Sequence, residues 1–364
     1  GGGRRQRPQA DSQWRFHVSA ALQISGAGMC CSVGLTAPSA RTAIWSGMNR
    51  FRESQFVDTE GEPVIVAGVP MGGRGGAHRM AAMLREAFRE SVRPLSAISP
   101  STTALLLVTA EEERPGYCAT WAHACFEAVC DSMGGRLNAA SRVFPLGRAG
   151  FGSALAAARP LLAERRVARA VIAGVDSYID ARTINGLLRS GRLSTPETPS
   201  GIIPGEGAGA VCVELARDDV TAGCRVVGLG VATEPATLAN DEPQQASGLT
   251  AALRAALVES GRRPEEMDFR ATDWAGEPFY VYESGLALTR VFDQHVAEFP
   301  VVQIAESLGE TGAAVGPLSV AYIAGLMARR KTAGPRCLLH LASDGGARAA
   351  AVLEYRPWGN GGDH

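Results

Sequence analysis

Apolar and polar residues alternate in two distinct rhythms along this chain. Stretches such as FHVSAALQISGAG, PVIVAGVPM, ALLLVTA, ARAVIAGVDS and GAGAVCVELA are short, rich in Val, Ile and Leu, and closed by Gly, Ser or Asp. CRVVGLGVA, DFRATDWAG, PVVQIAES, CLLHLAS and AAAVLEYRP follow the same rule. Each predicts a strand. In TAPSARTAIWSGM, HRMAAMLREAFRESV, TWAHACFEAVCDSM, SALAAARPLLAERR, TAALRAALVESG and VYESGLALTRVFDQHVA, apolar residues recur three and four positions apart. That spacing predicts helices, and the apolar stretch PLSVAYIAGLMARR reads as a further, buried one. Strands and helices in alternation predict an α/β protein whose helices cover sheets.

The chain also echoes itself. AGFGSALAAARPLLAERRVARAVIAGVDS and AAVGPLSVAYIAGLMARRKTAGPRCLLHLASDG run in the same order: small-residue turn, helix, Arg pair, apolar strand, small-residue turn. Gly152 aligns with Gly316, Ala149 with Ala313, and Arg165-Arg166 with Arg329-Arg330. Matched order of this kind predicts a duplicated unit. The two halves are set at 17–218 and 219–358, with polar tails at 1–16 and 359–364.

Composition narrows the picture. With 364 residues the chain can bury a large core. Aromatics make up only 6% while 43 residues are Gly, so tight packing of small side chains is expected. The net charge of -1 argues against a nucleic-acid protein. Lys331 is the only lysine, so nearly all positive charge is guanidinium. The eight cysteines lack CxxC or zinc spacing, which points to buried thiols in a reducing, cytoplasmic setting with neither metal nor cofactor. No apolar run is long enough to suggest a membrane span.

Three motifs carry a family resemblance. GVDSYID, LLRSGRLSTPETPSGIIPGEGAGAVCVE and SLGETGAAVGPLSVAYIAGL resemble the β-ketoacyl synthases of the thiolase superfamily, and ISGAGMCCSVGLTAPSARTAIWSGMNRF and ASDGGARAAAVLEY add weaker matches. The resemblance implies a thiolase-like five-layered α-β-α-β-α fold of two duplicated halves, and a homodimer or heterodimer. It also implies where the condensing residues would stand. The nucleophilic Cys falls at Ala149, the two His at Asp273 and Glu310, and the Lys at Ala305. The family's apolar gate reads Asp344. A remnant pocket would be lined by Ala149, Phe151, Asp273, Glu310 and Asp344; there Asp273 and Glu310 would repel each other unless an Arg pairs with them, Arg148 being a candidate.

These residue types cannot condense acyl groups in the usual way. A methyl group attacks nothing, and an ionised carboxylate only accepts hydrogen bonds, so it cannot hold a developing oxyanion. Two carboxylates would also repel a malonyl group. Cys118, His123 and Cys125 invite a Cys/His reading, but Trp121, Cys125 and Val129 form a normal apolar stripe and neighbouring helix positions do not face one another. The remaining histidines, 17, 78, 295, 340 and 364, read as strand-edge, surface or tail positions. PGEGAG lacks the Lys and Ser/Thr of a phosphate loop and leads into a strand.

These features describe a catalytically degenerate ketosynthase-like protein that works by binding. One role is a chain-length-factor-like partner of a ketosynthase and acyl carrier protein. Another is an adaptor or chaperone, for instance for a type VI secretion effector. The alternative is an acyltransferase or hydrolase with a displaced nucleophile.

Overall fold

The computed structural model describes residues 20–357 apart from 73, 74, 96, 97, 218, 221, 295 and 297. The two tails, His17, His295, His364 and the half boundary at 218 lie outside the described residues.

Seven strands and five helices come first: β1 (Leu22–Cys31), α1 (Ala37–Trp45), β2 (Arg52–Val57), β3 (Pro63–Val66), α2 (Gly76–Val92), β4 (Thr103–Val108), α3 (Ala119–Met133), β5 (Arg142–Phe144), α4 (Gly150–Ala163), β6 (Arg169–Ser177), α5 (Ala181–Arg189) and β7 (Glu206–Leu215). The rest are β8 (Gly223–Thr233), α6 (Ser247–Ser260), β9 (Phe269–Thr272), α7 (Pro278–Val291), β10 (Val301–Gln303), the short α8 (Ala305–Leu308), α9 (Val315–Met327), β11 (Arg336–Ala342) and β12 (Ala347–Arg356). Apart from the β2-β3 hairpin, the strands join in the order β10-β9-β11-β12-β8-β1-β7-β6-β4-β5. Outward from its middle, that order repeats: β1-β7-β6-β4-β5 on one side and β8-β12-β11-β9-β10 on the other. Among the described residues the two runs pair only where Leu22 and Gln23 meet Val226 and Arg225.

Helices α2 and α3 cover the first run, packing on each other while α2 lies on β1, β6 and β7. Helices α6 and α7 pair likewise on the second, with α6 on β8 and β12. Between the runs lie α4 and α9, each touching strands of both. Five layers result. The sequence dictates which helix takes which layer: α9 is buried almost all round, whereas α2 buries only the stripe of Met80, Met83, Leu84, Ala87, Phe88 and Ser91. Strands β4 and β6 are sandwiched between layers, so they read as continuous apolar runs.

The echoed turns are alike in backbone but shifted by one residue from the sequence alignment. Gly147–Ala149 and Gly312–Ala314 each form a 3-10 turn that feeds a helix. Gly147 and Gly312 both sit at positive φ, 61° and 52°, and after each helix the chain turns at Arg165 or Arg330, with φ of 56° and 54°. Arg148 therefore corresponds to Ala313, and Ala149 to Ala314. The identical Gly152/Gly316 and Arg-Arg pairs misplace the alignment because glycine and arginine recur throughout this chain. The backbone hand at each turn is the stricter marker.

Candidate functional site

Loops from both halves converge on the head of α4. Ala149 lies there, buried, its amide donating to Ser343 Oγ at 2.8 Å, while the Ser343 hydroxyl donates to the Leu146 carbonyl at 2.5 Å. The reciprocal contact comes from the other half, where the Ala313 amide donates to Asp176 Oδ2 at 2.9 Å. Each half thus pins the other's helix head, from Asp176 near the end of β6 and from Ser343 just after β11.

Arg148 fills the centre of this junction. Its side chain is 4% exposed and meets Glu310 at 2.9 Å, Asp344 at 2.9 Å and Asp273 at 3.5 Å. Its guanidinium also stacks 4.4 Å from the ring centroid of Tyr280. One cation thus serves three carboxylates.

Each carboxylate has a separate anchor. Glu310 follows the left-handed Gly309, and its backbone is clamped by Ile203 and Gly205 at the head of the PGEGAG segment. One of its oxygens accepts the Gly312 amide at 2.6 Å. Asp273 directly follows β9 and accepts the Ala342 amide at 2.8 Å. Asp344 accepts from the Tyr280 hydroxyl and, at 2.7 Å, from Arg192, which grips Glu277 with two bonds of 2.6 and 3.0 Å.

Burial and charge pull these groups apart. Burial raises Asp273, and it raises Glu310 to about 7 although Arg148 opposes the shift. Asp344 is also desolvated, but Arg148 and Arg192 together hold it well below the usual carboxylate range. Of the three, Glu310 is the one whose proton affinity burial shifts toward neutrality. The head of α4 carries the Ala149 methyl, and the hydroxyls of Ser343 and Tyr280 beside the cluster donate to the Leu146 carbonyl and to Asp344.

The structure brings Ala149, Asp273, Glu310 and Asp344 together around Arg148. Phe151, the second residue of α4, lies instead in the central core against Gly316. Ala305 opens α8 and adds no polar group. Asp176, Arg114, Arg192, Glu277 and Tyr280 were missed by sequence reasoning. Only the GVDS motif hinted at any of them, because it places Asp176 at the end of a buried strand, where a carboxylate needs a partner. Arg114 is that partner, with bonds of 2.9 and 2.5 Å.

Cys118 and His123 do not form a dyad. His123 is exposed and meets Glu127 at 3.1 Å. Cys118 caps the head of α3, with its sulfur 3.1 Å from the Thr120 hydroxyl, and that contact lowers its thiol pKa. Cys30, Cys31, Cys125, Cys212, Cys224 and Cys337 are all pushed up by burial. His340 corrects the expectation of a strand-edge position: it is 1% exposed, inside β11.

No family model matches this sequence. Among curated proteins, 177 residues are 30% identical to the actinorhodin polyketide putative beta-ketoacyl synthase 2 of Streptomyces coelicolor, covering 44% of this chain and 42% of that protein. The match spans less than half of that relative's length. Solved structures match far more broadly in shape. A chain from the complex of a type II polyketide acyl-carrier protein with its ketosynthase gives a TM-score of 0.78 at 11% identity, covering 92% of this chain and 99% of that one. An oxazolomycin ketosynthase domain from Streptomyces albus gives 0.76 at 13% identity, covering 95% of this chain and 76% of that one. A ketosynthase and chain length factor complex from Xenorhabdus doucetiae gives 0.68 at 14%, covering 94% and 100%. The fold is thus the thiolase-like fold of the ketosynthases. Its neighbours include ketosynthases solved with an acyl-carrier protein or a chain length factor. Among the described residues, no helix is long and apolar enough to cross a membrane.

Proposed function

We propose that this chain is a non-condensing member of the ketosynthase fold that acts as the partner subunit of a condensing ketosynthase. One observation carries the reading. The place where the resemblance puts a nucleophilic thiol holds Ala149, and the groups around it are committed to Arg148 rather than left free for a substrate. Asp273 and Glu310 stand where the resemblance puts two histidines, and both are buried against that guanidinium. Losing such donors costs several powers of ten in rate, and the losses are not additive once the catalytic unit is gone.

The partner role draws support from neighbours solved as a ketosynthase with its chain length factor. An adaptor role toward a secreted effector has no observation of its own here. The displaced-nucleophile alternative rests on Cys118, whose sulfur lies against the Thr120 hydroxyl, while His123 is engaged with Glu127. The test is to co-express the chain with type II ketosynthase subunits that retain the Cys, His and His residues. The expected result is a one-to-one complex on light-scattering chromatography, with malonyl consumption dependent on both subunits. Condensation by this chain alone, or failure to pair with any of the ketosynthases, overturns the proposal.

A further inference from the structure

A second polar cluster lies on the far side of the same sheet. Strands β9 and β11 run parallel, with Arg270 beside Leu338 and Thr272 beside His340. Phe269, Ala271, Leu339 and Leu341 face the central core, so alternation turns Arg270, Thr272 and His340 to the outer face, where Leu338 joins the core under α6 and α7. Thr272 and His340 are each 1% exposed, while Arg270 and Trp274 are half-buried. Trp274 spans the group. The Arg270 guanidinium lies 4.8 Å from its ring centroid, and the His340 ring meets it edge-on at 6.2 Å.

The hydrogen-bond accounts of these three side chains are open. Arg270 Nη1, Thr272 Oγ1 and His340 Nε2 are all buried, and none has a partner among the described residues. Buried polar atoms are normally satisfied, and a buried guanidinium normally meets a carboxylate. Nothing acidic offsets the burial of Arg270. Burial and the Arg270 charge push the His340 imidazole down to about 3, which keeps it neutral with one donor and one acceptor nitrogen. Water could satisfy single atoms but would leave the Arg270 charge unbalanced.

We infer that Arg270, Thr272 and His340 form a binding site for a small oxyanion, a carboxylate or phosphate group, roofed by Trp274. Guanidinium and hydroxyl donate to the anion, and the imidazole donates from its protonated nitrogen. Arg270 and Trp274, the two half-buried members, are where the cluster meets solvent. This site is separate from the Arg148 cluster and does not depend on the proposed partner role.

The test is an NMR titration of labelled full-length chain. The His340 ring signals are assigned with His340→Gln, and sodium phosphate and sodium acetate are added separately against sodium chloride at equal ionic strength. The expected result is a saturable, millimolar or tighter shift of the His340 signals with at least one of the two anions, and the effective one identifies the group. Arg270→Gln weakens that binding about tenfold and Thr272→Val about threefold, while Arg336→Gln, at the start of β11, leaves it unchanged. If Arg270→Gln does not fold, the wild-type titration and Thr272→Val decide. His340 signals unmoved by both anions, or affinity unaltered in a folded Arg270→Gln or Thr272→Val variant, overturn the inference.

Discussion

The two helix heads at the centre of the molecule share a backbone and differ in what they hold. At Gly147-Arg148-Ala149 a guanidinium enters the junction and gathers three carboxylates. At Gly312-Ala313-Ala314 the matching position carries a methyl group, and the charge comes from Asp176 below, already neutralised by Arg114. Duplication preserved the turn and left its chemistry free to diverge. The first head is a hub shared by both halves. The second is capped from the other half by one carboxylate that brings its own counter-ion.

That contrast breaks most readily at Arg148. Arg148→Met leaves Glu310, Asp273 and Asp344 facing one another and is expected to cost about 3–5 kcal/mol in urea unfolding. Arg114→Met is expected to cost less, about 2–3 kcal/mol, because Asp176 keeps the Ala313 and Ser177 amides. Adding Glu310→Gln to Arg148→Met should recover part of the loss, since a neutral amide no longer repels its neighbours. Equal costs at the two arginines would show that the hub is no more than a second cap.

Protonation of Glu310 comes next. Its folded pKa is raised to about 7 from an ordinary value of 4.5, so between those values the folded state holds a proton that the unfolded chain has released. Stability from this group is thus fully present below about 4.5 and is lost as pH rises through 7. His340 acts in the opposite sense below its unfolded value, so the wild-type curve mixes both. The difference between wild type and Glu310→Gln isolates the carboxylate. Wild type should lose stability relative to the variant from about pH 4.5 to 7, on the order of 1–3 kcal/mol. A flat difference would place Glu310 fully ionised against Arg148.

How much of this was legible in the sequence depends on which signals are local. The strands of the main sheet came through where apolar runs were long, as in β6 and β7. The edge strand β5 and the hairpin strand β2 were missed because RVF and RESQFV are short or polar and have little to bury. Helix α5 was missed as well, although its cap, Asp180, accepts two amides as a good N-cap should. The convergence of Asp273, Glu310 and Asp344 was readable only through the family resemblance. What holds them was not: Arg192, Glu277 and Tyr280 come from distant loops and carry no pattern of their own. The register of the two helix heads was off by one, since residue identity is a weaker guide than the left-handed glycines.

Packing between the halves offers a smaller lever. Phe151 and Gly316 lie against each other where α4 meets α9, and a Cβ on Gly316 would lie 2.6 Å from that of Phe151. Gly316→Ala is expected to cost about 1–3 kcal/mol in thermal unfolding through overpacking. No cost would mean that the central helices can slide apart without loss. The smallest effect belongs to Cys118→Ser. It should leave stability within about 0.5 kcal/mol yet remove the fastest-labelling thiol in an iodoacetamide time course, because the other shifted thiols are held up by burial. Undiminished fast labelling would assign that reactivity to Cys130.

The central claim is that the head of α4 cannot take an acyl group. Incubation of the isolated chain with acyl and malonyl thioesters, followed by intact-protein mass and released carbon dioxide, tests it directly. No mass gain and no carbon dioxide are expected. Ala149→Cys should gain thiol labelling but no condensation, because Asp273 and Glu310 remain bound to Arg148. Stoichiometric acylation of the unaltered chain that disappears in Cys118→Ala, or turnover by Ala149→Cys alone, would contradict it.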